Sequence, residues 1–207
     1  MCAAEETVGE ARIGLFGGSF NPPHLGHLIM ASEICTFLNL EKVVFMPAAQ
    51  PPHKAVADDV TAEQRLEMTR LAVVGDKRFE VSALEIELGL SYTLDTVAEI
   101  RALHEGYRIY FLMGSDSLLQ FGNWHQPGAI LMLCRLAVAP RIGDDAGRIQ
   151  EEVQRWGRKS VSVYPTTPIG ISSREIRGMV YGGAAPTYFV PPAVEAYIAE
   201  HGLYRAS

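Results

Sequence analysis

A turn between an apolar run and a helical pattern is the feature that most constrains this chain. The run 13–16 predicts a buried strand, and Gly17-Gly18-Ser19-Phe20-Asn21-Pro22-Pro23-His24-Leu25-Gly26-His27 follows it directly. The two prolines can precede or open a helix but cannot lie inside one, because they lack the N–H. The stretch is therefore a strand-to-helix turn, where an α/β sheet presents backbone N–H groups to a ligand. The buried face of the helix is predicted to be formed by Leu25, Leu28, Ile29, Ser32 and Cys35.

Two histidines in the first turn of that helix are its most informative residues. His24 and His27 lie three positions apart, so both rings leave the same side of the helix. Beside unpaired N–H groups they form a compact anion-binding surface, which is our interpretation. One alternative is that they only fix the turn through hydrogen bonds. Another is a catalytic zinc pair, but the usual HExxH spacing is absent.

Composition limits the classes of partner. The 207 residues suit one domain (1–207, with 1–11 expected to be flexible), and 48% hydrophobic with 20% charged residues is typical of globular proteins. The formal net charge of −6 provides no basic field for a nucleic acid. An anionic ligand must therefore be bound by a local cluster.

Cysteine usage and hydropathy indicate where the protein works. Cys2, Cys35 and Cys134 form no CxxC pair, which argues against a disulfide framework or a structural zinc and favours a reducing compartment. Residues 1–12 do not resemble a signal peptide, and no apolar run has the length needed to cross a bilayer. We expect a cytoplasmic protein without a membrane partner.

Strand and helix patterns alternate along the chain, which predicts an α/β fold with a doubly wound, mainly parallel sheet and a C-terminal helical part from about residue 172. Sites in such folds lie beyond the carboxyl ends of the strands. The segments predicted there are 17–27, 47–54, 114–116 and 171–177. The strands are predicted at 13–16, 42–46, 79–88 (a strand that runs into a loop), 107–113, 131–139 and 161–164. Helices are predicted after Thr61, at 94–105, 144–157 and 172–180, and after Pro191-Pro192.

The segment Ile171-Ser172-Ser173-Arg174-Glu175-Ile176-Arg177 supplies donors that the first turn lacks. Its serines can cap a helix and donate to phosphate, and a guanidinium binds phosphate oxygens in a bidentate manner. The alternative is a capped helix with solvated arginines. Trp124 could likewise be a core plug rather than a stacking platform, and Thr93 could be only a helix cap.

These motifs resemble a known family. The PPHxGH turn resembles that of the nucleotidylyltransferase superfamily, and 171–177 resembles its second ATP motif, usually ISSTxIR. Together with Pro51-Pro52-His53-Lys54, Ser91-Tyr92-Thr93-Leu94-Asp95-Thr96 and Trp124, they are similar to bacterial nicotinate-nucleotide adenylyltransferases over residues 12–204. The resemblance implies a Rossmann-like nucleotidylyltransferase fold and transfer of the adenylyl group of ATP to nicotinate mononucleotide, giving deamido-NAD and pyrophosphate.

The resemblance also implies roles for individual residues. His24 and His27 would contact the ATP phosphates and stabilise the leaving pyrophosphate, with Lys54, Ser173 and Arg177 on the same polyphosphate. The other implied ATP contacts are Gly17, Gly18, Ser19, Phe20, Gly26, Gly114, Asp116, Ile171 and Ser172. Thr93, Trp124 and His125 would receive the nicotinate, and Arg141 the mononucleotide phosphate. Mg²⁺ would arrive with ATP, without a protein metal site, and a homo-oligomer remains open.

The chain departs from the family pattern at three places. Asn21 stands where aspartate is frequent, Arg174 replaces the usual threonine, and 87–90 lacks a basic residue. Two rival functions stay open: a sister enzyme with another acceptor, such as nicotinamide mononucleotide or phosphopantetheine, and a non-catalytic nucleotide sensor.

Overall fold

A parallel β-sheet organises the protein. The computed structural model describes residues 11–49 and 60–205. Within these ranges six strands pair in the order β3-β2-β1-β4-β5-β6, and every pairing is parallel. The strands are β1 (Arg12–Gly18), β2 (Lys42–Pro47), β3 (Phe79–Val81), β4 (Arg108–Gly114), β5 (Arg135–Ala139) and β6 (Val161–Val163). The predicted fold class is confirmed.

Helices connect the strands and cover the sheet. The helices in the described part of the chain are α1 (Leu25–Leu38), α2 (Ala62–Val73), α3 (Leu84–Leu88), α4 (Thr93–Leu103), α5 (Ser115–Gln120), α6 (Pro127–Leu133), α7 (Ala146–Trp156), α8 (Ser173–Tyr181) and α9 (Pro192–Glu200). A 3-10 turn at Phe121–Asn123 joins α5 to the loop before α6. The predicted cap of α2 is confirmed, since the Thr61 side chain accepts from the Gln64 N–H.

The strand order places a ligand site between β1 and β4. The chain builds the sheet outward from β1 through β2 to β3, and then returns to the other side of β1 with β4. The loops that follow these two strands diverge to opposite faces and leave a crevice at their carboxyl ends. The glycine turn follows β1 and the 114–116 segment follows β4, so two of the predicted segments border this crevice.

Three apolar clusters hold the layers together. One cluster lies on the face of the sheet that carries Leu15 and Phe111, and a second on the opposite face with Phe16 and Ile34 of α1. The third joins α2 to the C-terminal helices through Met68 and Val194. The C-terminal helices are thereby fixed behind the turn that follows β1.

Two predicted strands were wrong in part. Residues 79–88 form a three-residue strand and then α3, and 131–139 divide into the end of α6 and β5. A short apolar run fits a buried helix and a buried strand equally well, so periodicity cannot separate them.

The buried face predicted for α1 was also wrong in part. Cys35 is buried, but the fully buried positions beside it are Ala31, Ile34 and Leu38. The helix is apolar on several sides because the sheet covers one side and Leu28 reaches the third cluster. No single stripe therefore marks its core face. Within the described residues, no helix is both long enough and apolar enough to cross a bilayer.

Candidate active site

A cavity of about 1070 Å³ occupies the crevice at the carboxyl ends of the strands. Its volume is at the upper end of the range for small-molecule sites, which gives room for two nucleotide-sized ligands. Lys54 lies outside the described residues. The predicted site residues that line the cavity are Gly17, Gly18, Ser19, Phe20, His24, Gly26, His27, Thr93, Gly114, Asp116, Trp124, His125, Arg141, Ile171, Ser172, Ser173 and Arg177.

The two histidines form a stacked pair at the start of α1. Their ring centroids lie 3.6 Å apart with an angle of 25° between the planes. His27 Nδ1 accepts a hydrogen bond from the His24 backbone N–H at 3.2 Å, so the proton of the neutral ring lies on Nε2. His27 therefore caps the helix with one nitrogen and keeps the other as a donor.

Both histidines are neutral at physiological pH. Burial lowers the pKa of His24 to about 4, with a further decrease from the Arg141 charge that Glu175 partly opposes. Burial, His24 and Arg141 also hold the pKa of His27 well below its ordinary value. The pair can therefore offer an anion oriented N–H groups but no net charge.

The lowered pKa of His24 predicts an acid-sensitive fold. His24 is protonated below about pH 6.5 in the unfolded chain but only below about pH 4 in the folded protein, so stability is complete above 6.5 and is lost as pH falls. From pH 7.5 to pH 5, the free energy of unfolding of the wild type should fall by about 2 kcal/mol more than that of His24→Asn. Urea unfolding at both pH values measures the difference, and equal losses in the two proteins would contradict it.

Side chains from α8 hold the backbone of the turn. Arg177 Nη1 donates to the Asn21 carbonyl at 2.8 Å, and Ser173 Oγ donates to the Pro22 carbonyl at 2.9 Å. Ser172 caps α8 by accepting from the Glu175 N–H at 3.2 Å. The two predicted ATP motifs are therefore joined by direct contacts, although about 150 residues separate them in the sequence.

The residues that follow β4 form another part of the cavity wall. The Asp116 carboxylate pairs with Arg141 Nε at 3.0 Å, and Asp144 accepts from the Arg141 backbone N–H at 2.5 Å and from Ser115 Oγ. A Cβ on Gly114 would lie 2.6 Å from Asp116 Oδ1 and 2.9 Å from Arg141 Nε, so a side chain at this position would displace the ion pair.

Trp124 packs against the core and also lines the cavity, so it has features of both predicted alternatives, a core plug and a stacking platform. Its ring lines the cavity, and its edge also packs against Phe111 and Phe121 at centroid distances of 5.9 and 5.3 Å. Both partners belong to a core cluster, so the indole is fixed before any ligand arrives. A rigid aromatic wall of this kind suits stacking of a flat ring.

The start of α4 lines the cavity together with the Trp124 segment. Thr93 is the first residue of α4, and Tyr92 occupies the cap position without a side-chain cap bond, so Thr93 is not the cap. The Tyr92 ring stacks on His125 with centroids 4.4 Å apart and 29° between planes. This stack connects α4 to the Trp124 segment at the mouth of the cavity.

Several lining residues were given no role by sequence reasoning, among them Arg65, Glu85 and Tyr92. Arg65 and Glu85 border the cavity from α2 and α3, and Tyr92 borders it from the cap of α4. An arginine on the otherwise apolar stripe of α2 was the available signal for Arg65. Among the described residues, no three His, Cys, Asp or Glu side chains form a cluster that could hold a metal ion.

A parallel sheet of this order, with a strand-to-helix turn at its switch point, defines a nucleotide-binding α/β protein. The cytidylyltransferase-like family model matches residues 15–179. A probable nicotinate-nucleotide adenylyltransferase of Pelobacter propionicus is 38% identical, covering 93% of this chain and 98% of its own. A protein of the same description from Thermomicrobium roseum is 40% identical, covering 94% and 92%.

The chain therefore belongs to the cytidylyltransferase-like family and, within it, to the nicotinate-nucleotide adenylyltransferase group. The resemblance predicted from the motifs is confirmed at the level of the family. The nicotinic acid mononucleotide adenylyltransferase of Plasmodium falciparum, in a complex with NaAD, shares the fold with a TM-score of 0.78 at 17% identity. The match covers 94% of this chain and 97% of that one.

Proposed function

We propose that this protein transfers the adenylyl group of ATP to nicotinate mononucleotide, releasing pyrophosphate and deamido-NAD. The observation that carries the proposal is one cavity lined by both the histidine turn with its α8 partner and the Trp124 wall with Thr93. The relatives from Pelobacter propionicus and Thermomicrobium roseum support it by their description.

The polyphosphate of ATP occupies the histidine end of the cavity. His27 Nε2–H and the guanidinium of Arg177 donate to phosphate oxygens, and Ser173 adds a backbone donor at the start of α8. Lys54 acts on the same phosphates in this proposal. Because both histidines stay neutral, they act on the phosphates as N–H donors, and the positive charge comes from Arg177 and Lys54.

The acceptor needs alignment rather than a base. A phosphate oxygen of the mononucleotide is already anionic at neutral pH and attacks the α-phosphorus of ATP. The bond between that phosphorus and the bridging oxygen breaks, and the electron pair leaves with pyrophosphate. Donors from the turn stabilise the charge that develops on the leaving oxygens. Arg141 binds the acceptor phosphate, which reduces its repulsion from ATP.

The pyridine ring occupies the opposite end of the cavity. It stacks on Trp124, whose ring is fixed by Phe111 and Phe121. Thr93 and the backbone near His125 donate to the nicotinate carboxylate. Asp116 faces a ribose and keeps Arg141 in place through their ion pair.

Mg²⁺ enters this proposal as part of the ATP substrate. The Asp116 carboxylate is already paired with Arg141, so the oxygen ligands of the ion come from phosphates and water. When bound, the ion neutralises phosphate charge.

Label transfer tests the reaction class. With ATP labelled at the α-phosphorus and nicotinate mononucleotide, the label should appear in a dinucleotide in equal amount to pyrophosphate. ATP labelled at the γ-phosphorus should give labelled pyrophosphate and no inorganic phosphate. A protein that binds ATP without consuming it would be a sensor, and this result would contradict the proposal.

A further inference from the structure

Arg65 is a buried arginine that the proposed reaction leaves without a role. It lies in the first turns of α2 with 1% of its surface exposed, and it is among the largest fully buried side chains of the described residues. Burial lowers the pKa of its guanidinium below its ordinary range, yet arginine stays charged in proteins. A charge removed from water needs strong partners, so its contacts indicate its purpose.

Within the described residues, the hydrogen bonds of the guanidinium go to backbone carbonyls. Nη1 donates to the Ser19 carbonyl at 2.9 Å, and Nη2 donates to those of Ala48 and Ala49 at 2.6 and 3.1 Å. Ser19 lies in the turn after β1, and Ala48 follows β2. Arg65 therefore fixes the exits of two neighbouring strands to each other, next to the Ala48 N–H to Gly18 carbonyl bond of 2.9 Å.

The hydrogen bond from Arg65 to the Ser19 carbonyl fixes the orientation of a peptide unit in the turn that follows β1. Because a peptide unit is planar, holding the Ser19 carbonyl towards Arg65 directs the Phe20 N–H the opposite way. Phe20 has a φ of 45°, in the left-handed region that an aromatic residue rarely adopts. Arg177 holds the carbonyl of Asn21, two residues after Ser19, at 2.8 Å. The two arginines thus hold the peptide unit that directly precedes the strained Phe20 and the Asn21–Pro22 unit one residue after it.

Glu85 extends the same contacts to the acceptor side. Thr96 Oγ1 donates to Glu85 Oε1 at 2.8 Å, the Ala49 N–H donates to the same carboxyl group, and Arg65 attracts it. Thr96 lies in α4, three residues after Thr93. The contacts therefore run from α4 through Glu85 and Ala49 to Arg65 and Ser19. They connect the turn that follows β1 to α4 along the wall of the cavity.

We propose that Arg65 is a positioning residue for adenylyl transfer. Through Ser19, Ala48–Ala49 and Glu85, it aligns the turn that follows β1 with the start of α4. The inference rests on the proposed function. Because both Nη groups are engaged with the backbone, its contribution lies in the geometry of the transition state rather than in binding of ATP.

Arg65→Met tests this inference because methionine keeps an apolar stem and removes the donors. Turnover should fall about 10–100-fold, while KM for both substrates and Kd for a non-hydrolysable ATP analogue change less than about threefold. Arg65→Lys keeps the charge but cannot reach Ser19 and Ala48 together, so it should recover less than half of the lost turnover.

A matched control separates positioning from loss of stability. Ala72 lies two turns further along the buried face of α2. Replacing it by glycine weakens the helix without removing a contact to Ser19 or to Ala48–Ala49. The melting temperature of this variant should fall, while its turnover stays within about twofold of the wild type. An equal loss of turnover in Ala72→Gly and Arg65→Met at equal stability would overturn the inference.

A double-mutant cycle gives a second readout that also applies if Arg65→Met folds poorly. Arg65→Lys and Glu85→Gln act through the same Ala49 segment, so their effects on turnover should be non-additive. Additive effects, or normal turnover in a folded Arg65→Met, would overturn the inference while the wild type still reacts. An inactive wild type would instead remove the proposed function.

Discussion

Replacing His27 by alanine is expected to lower turnover about 10²–10³-fold with the fold preserved, as for loss of a transition-state donor. The structure explains why His27→Ala alone cannot show which nitrogen of the ring is needed. His27 Nδ1 caps α1 by accepting from the His24 N–H, so alanine removes the cap as well as the Nε2 donor. A fall in turnover could then arise from either nitrogen.

Two isosteric variants separate the nitrogens of His27. Asparagine places an acceptor near the Nδ1 position and removes the Nε2 donor, whereas glutamine places an N–H near Nε2 and removes the cap. His27→Asn should therefore be as slow as alanine with a normal melting temperature, and His27→Gln should be at least about tenfold faster than His27→Asn but less stable. Steady-state turnover with thermal unfolding measures both. A fast His27→Asn would assign His27 to the helix cap alone.

Arg177→Met is expected to lower kcat/KM about 10²–10³-fold, the equivalent of two charge-assisted hydrogen bonds. The guanidinium holds the Asn21 carbonyl at 2.8 Å and lines the cavity, so its removal affects both the turn and the polyphosphate. Arg177→Lys retains the charge without the planar fork and should recover about tenfold.

An arginine remote from the cavity provides the control. Arg148 lies on α7 and is exposed, so Arg148→Met should keep kcat/KM within about twofold. If Arg177→Met reacted as fast as Arg148→Met, the 171–177 motif would be a capped helix with a solvated arginine, which was its alternative reading.

The structure changes the meaning of the histidine turn. Sequence reasoning placed the pair in a cluster of cationic groups, but burial and Arg141 keep both rings neutral. Among the described residues that line the cavity, arginines supply the positive charge. The histidines contribute direction, since the stacked rings and the His24–His27 backbone contact fix where their N–H groups lie.

Local features of the site could be predicted because their signals are local. The turn from Gly17 to His27 and the cap at Ser172 depend on neighbouring residues, and both are found as expected. The parallel sheet followed from the alternation of strands and helices. Residues 131–133 were taken for strand because a short apolar run carries no helical period of its own.

Long-range contacts could not be predicted in the same way. Arg65 meets Ser19 across 46 residues and Ser173 meets Pro22 across 151, and no sequence period marks either pair. Tyr204 likewise donates to Asn21 Oδ1 at 2.5 Å from the C-terminal segment. These contacts arise from packing of α2 and the C-terminal helices behind the turn, which only the folded chain shows.

The acceptor comparison tests the central claim most directly. Pyrophosphate release is measured with Mg²⁺, ATP and either nicotinate or nicotinamide mononucleotide at equal concentrations below KM. The account predicts at least about tenfold faster release with the nicotinate form, because its carboxylate gains charge-assisted hydrogen bonds that the amide lacks. Equal rates with the two acceptors, or faster release with the nicotinamide form, would contradict the proposed specificity.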